Sequence, residues 1–169
     1  MAVLQIRLFP DPILRKRCTA VNPSDPKLRF LSKDLEHTLY AQTGGIGIAA
    51  PQVGIDKRLI LIDISSKDPT KHLEVMINPV ILVQEGEVLS REGCMSLPDY
   101  TANVKRFERL QLEWTDIRGW KKEKTAHGIE AICIQHEIDH LNGMLFIDRV
   151  VSLKTDVFPR QRRARKPRD

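Results

Sequence analysis

The pentapeptide His136-Glu137-Ile138-Asp139-His140 constrains this chain more than any other stretch, because it only makes sense on a helix. From about His127 to Leu141 the apolar residues Ile129, Ile132, Ile138 and Leu141 fall at helical intervals, and Asn142-Gly143 supplies a stop. At 3.6 residues per turn the two histidines stand one turn apart along the axis and about 40° apart around it. Both imidazoles then reach one ion, with Glu137 beside it. The same pattern also occurs by accident on ordinary helices, where the histidines are only partly exposed polar groups, so a third ligand is what decides.

A catalytic metal needs three protein ligands and one open position. Zinc proteases with this motif usually complete the set downstream with Glu or His. Here Glu137 is the last glutamate and His140 the last histidine, so the third ligand comes from upstream or from a downstream aspartate. The best upstream candidate is Cys94, in Glu92-Gly93-Cys94-Met95-Ser96, where a glycine permits a tight backbone. A free cysteine is also a common small buried hydrophobe, and the residues alone leave both readings of Cys94 open. Cys18 and Cys133 are read as buried hydrophobes. Three widely spaced cysteines in a 169-residue chain read as reduced thiols rather than a disulfide framework.

The rest of the chain reads as one soluble domain of about average composition, 41% hydrophobic and 29% charged. Pro10, Pro12 and Pro23 make the first 24 residues extended with turns. Ser24 or Asp25 before Pro26 starts a helix, with Leu28, Leu31, Leu35 and Leu39 at helical spacing up to about Tyr40. A glycine-rich stretch, 43–54, precedes a buried strand at Arg58–Ile64. Short strands are predicted at 74–77, 80–83, 87–89, 102–105 and 110–115, and a turn at Arg118-Gly119 leads to a return strand near 120–125. Helix, strands, then helix predicts α+β with mostly antiparallel sheet. No stretch approaches the roughly 18 apolar residues of a membrane span, and Met1 to Pro10 lacks the features of a secretory signal, so a cytoplasmic protein is expected. Residues 154–169 hold seven Lys/Arg against two Asp/Glu, which accounts for the whole net charge of +5. The body is neutral, which argues against nucleic acid as the substrate and against DNA as a partner.

Three segments, Gly45-Ile46-Gly47-Ile48-Ala49-Ala50-Pro51-Gln52, Glu92-Gly93-Cys94-Met95-Ser96 and Gln135-His136-Glu137-Ile138-Asp139-His140, resemble in order and separation the motifs of the peptide deformylases. Support outside the motifs comes from Asp11-Pro12-Ile13-Leu14-Arg15 and Ile132-Cys133-Ile134, so the resemblance spans roughly 4–150. Met95 stands where leucine is common, and the chain after about Val151 matches poorly. The resemblance implies antiparallel β-sheets packed around a central metal-binding helix, with a catalytic domain at 1–152 and a basic tail at 153–169. It further implies a metal held by Cys94, His136 and His140 with water in the fourth position. The implied reaction removes formyl from the formyl-methionine of new polypeptides and releases formate.

Such a reaction needs a nucleophile, a home for negative oxygen and a proton for the leaving amine. A divalent metal lowers the pKa of bound water, and Glu137 can shuttle the proton. Gln52 and, as the family implies, the backbone N–H of Met95 would face the oxyanion. A thiolate ligand makes Fe²⁺ as suitable as Zn²⁺. The family implies Fe²⁺ as the native ion, with Zn²⁺, Ni²⁺ or Co²⁺ found after purification. The glycine-rich segment lacks the third glycine and the Lys-Ser/Thr pair of phosphate loops. Its glycines form a tight turn or let Ile46 and Gly47 pair with a substrate peptide as an added strand. Ile132, Cys133 and His136, with Tyr100, are candidates to line a methionine slot. Glu92, Arg106 and Asp139 either orient the ligands or form charged surface pairs. Two rivals are a zincin-like endopeptidase and an RNA- or ribosome-binding protein. The tail cluster of Arg160, Arg162, Arg163, Arg165, Lys166 and Arg168 reads as a solvated terminus or as a weak ribosome contact.

Overall fold

Leu59 to Ile62 is apolar at every position because both faces of this strand are covered. In the computed structural model, which describes residues 2–160, the chain forms α1 (Lys27–Tyr40), β1 (Gly47–Ala49), β2 (Leu59–Ile62), β3 (Glu74–Cys94), β4 (Leu97–Thr115), β5 (Lys121–His127), α2 (Gly128–Leu141) and β6 (Val157–Pro159). Single 3₁₀ turns occur at Pro12–Arg15, Ala50–Val53 and Phe146–Arg149. Leu59 and Leu61 join the cluster that buries Leu28, Leu35 and Leu39 of α1. Ile60 and Ile62 join the cluster around Ala131, Ile134, Ile138 and Leu141 of α2. Each such side chain contributes roughly 1.5–3 kcal/mol by leaving water, which seats the two helices on opposite faces of β2.

The described strands make one six-stranded, wholly antiparallel sheet in the order β1-β2-β3-β4-β5, with β6 paired to the start of β4. The fold is α+β, as the element order predicts. The Lys27 N–H donates to Asp25 Oδ1 at 2.9 Å, so Asp25 opens α1. At the other end of the chain, Gly143 closes α2 with φ 74°, and a Cβ there would lie 2.4 Å from the carbonyl oxygen of Arg15. Among the described residues no helix is long and apolar enough to cross a membrane.

The sheet differs from the sequence reading in the length of its strands. The separate pieces expected at 74–77, 80–83 and 87–89 are one strand, β3, and those at 102–105 and 110–115 are one strand, β4. Asn78-Pro79 does not break β3; it is absorbed as a register shift between Ile77 and Val80. Asn78 takes φ 50°, and its side-chain amide holds Val21, accepting from N–H at 3.0 Å and donating to the carbonyl at 2.8 Å. Beyond residue 152, Val157–Pro159 pair with Tyr100–Ala102 of β4 and so extend the sheet. Residues 161–169, with Arg162, Arg163, Arg165, Lys166 and Arg168, lie outside the described residues.

Candidate metal centre and substrate cleft

Cys94 is the last residue of β3, where the chain reverses through Met95 and Ser96 into β4. The reversal turns its thiol toward α2, 3.3 Å from His140 Nε2. One ligand atom each from Cys94, His136 and His140 lies within 4.8 Å of the others. Burial alone would raise the Cys94 thiol, but the imidazoles of His140 and His136 outweigh it and hold it well below the ordinary range. The site therefore offers a thiolate and two imidazoles, a donor set suited to a borderline or soft divalent cation.

The ring of His136 is fixed from behind. Its Nδ1 lies 2.8 Å from Glu92 Oε2, which leaves Nε2 for an ion. Arg106 grips both oxygens of Glu92, at 2.7 and 2.8 Å, and donates to Asp139 at 2.6 Å. Arg149 adds two further hydrogen bonds to Asp139, both at 2.6 Å. Burial would raise the Glu92 carboxyl, yet hydrogen bonds from Arg106 and His136 lower it to about 2. These charges are inside the protein: Glu92, Arg106 and Asp139 are all at most 7% exposed. The surface-pair alternative does not hold for them.

Glu137 is buried beside the ligands, and its Oε2 has no hydrogen-bond partner among the described residues. Burial pushes its carboxyl up to about 7, against the pull of His136 and His140. Gln52 is oriented by the Ala49 N–H, which donates to its Oε1 at 2.9 Å. That contact turns Nε2 toward Cys94 Sγ and Ser96 Oγ, at 3.5 and 3.4 Å. Gly47 is needed here for space, since a Cβ would sit 2.6 Å from Glu137 Oε1 and 2.8 Å from Cys133 Sγ.

A cleft of about 270 Å³ opens onto these groups. Ile46, Met95, Ile132 and Cys133 line its apolar side, and Gln52, Glu92, Cys94, His136 and Glu137 its polar floor. Tyr100 is not brought in. The reversal at Met95-Ser96 carries it back along β4, one strand removed from the cleft, where it is 43% exposed and pairs with Pro159. Ile129, read as a core residue, is 44% exposed and lines the cleft instead. Sequence reasoning missed Ser96, whose N–H points at Cys94 Sγ from 3.4 Å, although it lies in the quoted motif. It also missed Arg149, which no local pattern marks.

The family model for polypeptide deformylase matches residues 3–156. The chain belongs to that family. A peptide deformylase of Thermodesulfovibrio yellowstonii is 42% identical over 166 residues, covering 98% of this chain and all of the relative. The crystal structure of a peptide deformylase from Legionella pneumophila is similar with a TM-score of 0.84 at 40% identity, covering 90% of this chain and 89% of that one. The Met-Ala-Ser bound class I type b peptide deformylase of Acinetobacter baumannii has a TM-score of 0.82 at 33% identity, covering 88% of this chain and 99% of that one. As a peptide deformylase, the chain is a metal-dependent hydrolase that frees the methionine amine of formyl-methionyl polypeptides and releases formate. Neither the endopeptidase nor the RNA-binding alternative accounts for this membership.

Proposed function

We propose that Cys94, His136 and His140 together hold the catalytic ion, natively Fe²⁺ and replaceable by Zn²⁺, Ni²⁺ or Co²⁺, and that Glu137 is the acid/base of deformylation. What carries this reading is the convergence of three ligand atoms beside a buried carboxylate with an unpartnered oxygen. When bound, such an ion supplies Lewis acidity and makes water nucleophilic at neutral pH. Glu137 accepts the proton of the attacking water and returns it to the methionine nitrogen as the formyl C–N bond breaks. Formate and a free amine result. The negative oxygen that develops on the formyl carbon receives hydrogen bonds from Gln52 Nε2 and the Met95 N–H, each typically worth about 3 kcal/mol.

The substrate lies as an extended chain between the edge of β1 and residues 90–93 of β3. The reading is supported by the edges themselves. Among the described strands β1 has β2 on one side only, and β4 alone pairs with residues 90–93. Backbone pairing at Ile46 and Gly47 makes the fit independent of the peptide's sequence, while the methionine side chain enters beside Ile129, Ile132 and Cys133. That the Acinetobacter baumannii relative binds Met-Ala-Ser supports a peptide as the ligand. We assign the activity to the cytoplasm and catalysis to residues 1–152, with the start of the basic tail, 153–169, bracing β4 through β6 and its basic run giving weak, salt-sensitive attachment to ribosomal RNA.

The test is formate release from formyl-Met-Ala-Ser by anaerobically purified protein, with iron measured alongside. The expected result is about one Fe²⁺ per chain and one free amine per formate, with both ion and turnover lost in Cys94→Ala and the ion retained in Cys18→Ala. Turnover that persists in Cys94→Ala with its ion still bound overturns the assignment.

A further inference from the structure

Two arginines lie on the cleft wall that the reaction does not use. Arg91 is in β3 between Ser90 and Glu92, and Arg160 follows β6; both line the cleft. Arg91 is held in place: its Nε donates to Thr101 Oγ1 at 3.0 Å, its Nη1 to Asn103 Oδ1 at 3.3 Å, and its guanidinium lies 3.6 Å from the centroid of the Phe158 ring. Arg160 is anchored through its backbone N–H, which donates to the Asp99 carbonyl at 2.7 Å, and its Nη1 would be 3.7 Å from a Cβ on Gly93. Among the described residues neither guanidinium has a carboxylate within 4.0 Å, although three of the neighbouring arginines, Arg106, Arg109 and Arg149, do. β6 therefore delivers one cation to the cleft rim and an aromatic platform for the other.

We propose that Arg91 and Arg160 form a subsite for a carboxylate side chain on the second residue of the substrate, directly after methionine. This rests on the reading that the peptide lies extended between β1 and β3. Side chains alternate faces along an extended chain. The methionine side chain points to the face on which Glu92 meets His136 and Cys94 meets His140. The next side chain points to the opposite face of β3, which Arg91 occupies because it is one residue from Glu92. An aspartate or glutamate there meets two guanidiniums that no carboxylate among the described residues neutralises, whereas a lysine meets like charge. The site is open to water, so the effect is selective rather than absolute. The established reaction needs no such preference, because backbone pairing accepts any second residue.

The test uses the full metal-loaded chain and three amidated peptides, formyl-Met-Glu-Ser, formyl-Met-Gln-Ser and formyl-Met-Lys-Ser, so that the second residue carries the only carboxylate. We expect kcat/KM to fall in the order Glu, Gln, Lys, by about two- to fivefold per step and through KM. The steps should shrink as salt rises from 0.05 to about 0.5 M. In the double variant Arg91→Gln, Arg160→Gln the Glu/Gln ratio should approach one, and Arg160→Glu should shift the preference toward lysine. Equal kcat/KM for all three peptides, or a preference that survives the double variant, overturns the subsite alone. No turnover of any peptide overturns the deformylase assignment with it.

Discussion

Glu92 and His136 sit 44 residues apart in sequence, yet Glu92 Oε2 is 2.8 Å from His136 Nδ1. The contact ties the end of β3 to α2, so the strand that carries Cys94 and the helix that carries both histidines are registered by a buried charge. Arg106 and Asp139 extend this link, and Arg106 is held charged because its two carboxylate partners outweigh its burial.

Removal of Glu92 should therefore loosen the metal. Glu92→Ala frees the His136 ring and leaves Arg106 with a single buried carboxylate partner. Chelator competition should show a 10–100-fold weaker ion, the usual cost of losing an orienting partner. Unaltered affinity would mean that the ring is oriented by something else.

Gly47 offers a purely steric probe. A methyl group there collides with Glu137 Oε1 and Cys133 Sγ. Gly47→Ala should keep its ion and lose turnover by about 10²-fold, because the carboxylate is displaced by the order of 1 Å. Normal turnover, measured as formate release, would show that β1 can retreat and that the close approach is not needed.

Much of this was legible before the fold was known, for physical reasons that differ by element. α1 and α2 announce themselves through leucine and isoleucine spacing with clear stops, and Cys94, His136 and His140 through the chemistry of their motifs. β2 reads as buried because it lacks a polar face. The long strands were obscured by Asn78-Pro79 and by Glu85-Gly86, which are turn signals locally. Tertiary pairing absorbed both, the first with help from the Val21 hydrogen bonds. Tyr100 follows Cys94 closely in sequence, yet the hairpin puts it on β4 and outside the cleft lining. Arg160 could not be placed at the cleft without knowing that β6 pairs with β4.

Asp148 gives a pH-dependent prediction. Burial would raise its carboxyl, but hydrogen bonds from Arg15 and the Leu145 N–H, the latter at 2.8 Å, lower it below its ordinary value. A lowered folded pKa favours folding above the unfolded value near 4, and the gain disappears as pH falls through the folded value. The pair is about one-third exposed, so its worth is no more than about 1 kcal/mol. Urea unfolding should find Asp148→Asn less stable than the native chain at pH 7, with the gap narrowing as pH falls below about 4. A gap that stays constant across that range would contradict the pairing.

The proposed proton transfer rests on Glu137, and one variant isolates that role from metal binding. Glu137→Gln keeps the size of the side chain and removes its basicity while Cys94, His136 and His140 remain. The decisive measurement is formate release per bound ion by Glu137→Gln, with the ion counted in the same sample. The account predicts one ion per chain, as in the native protein, and turnover lower by at least about 10²-fold. Turnover near the native rate with the ion in place, or loss of the ion with the carboxylate, would contradict it.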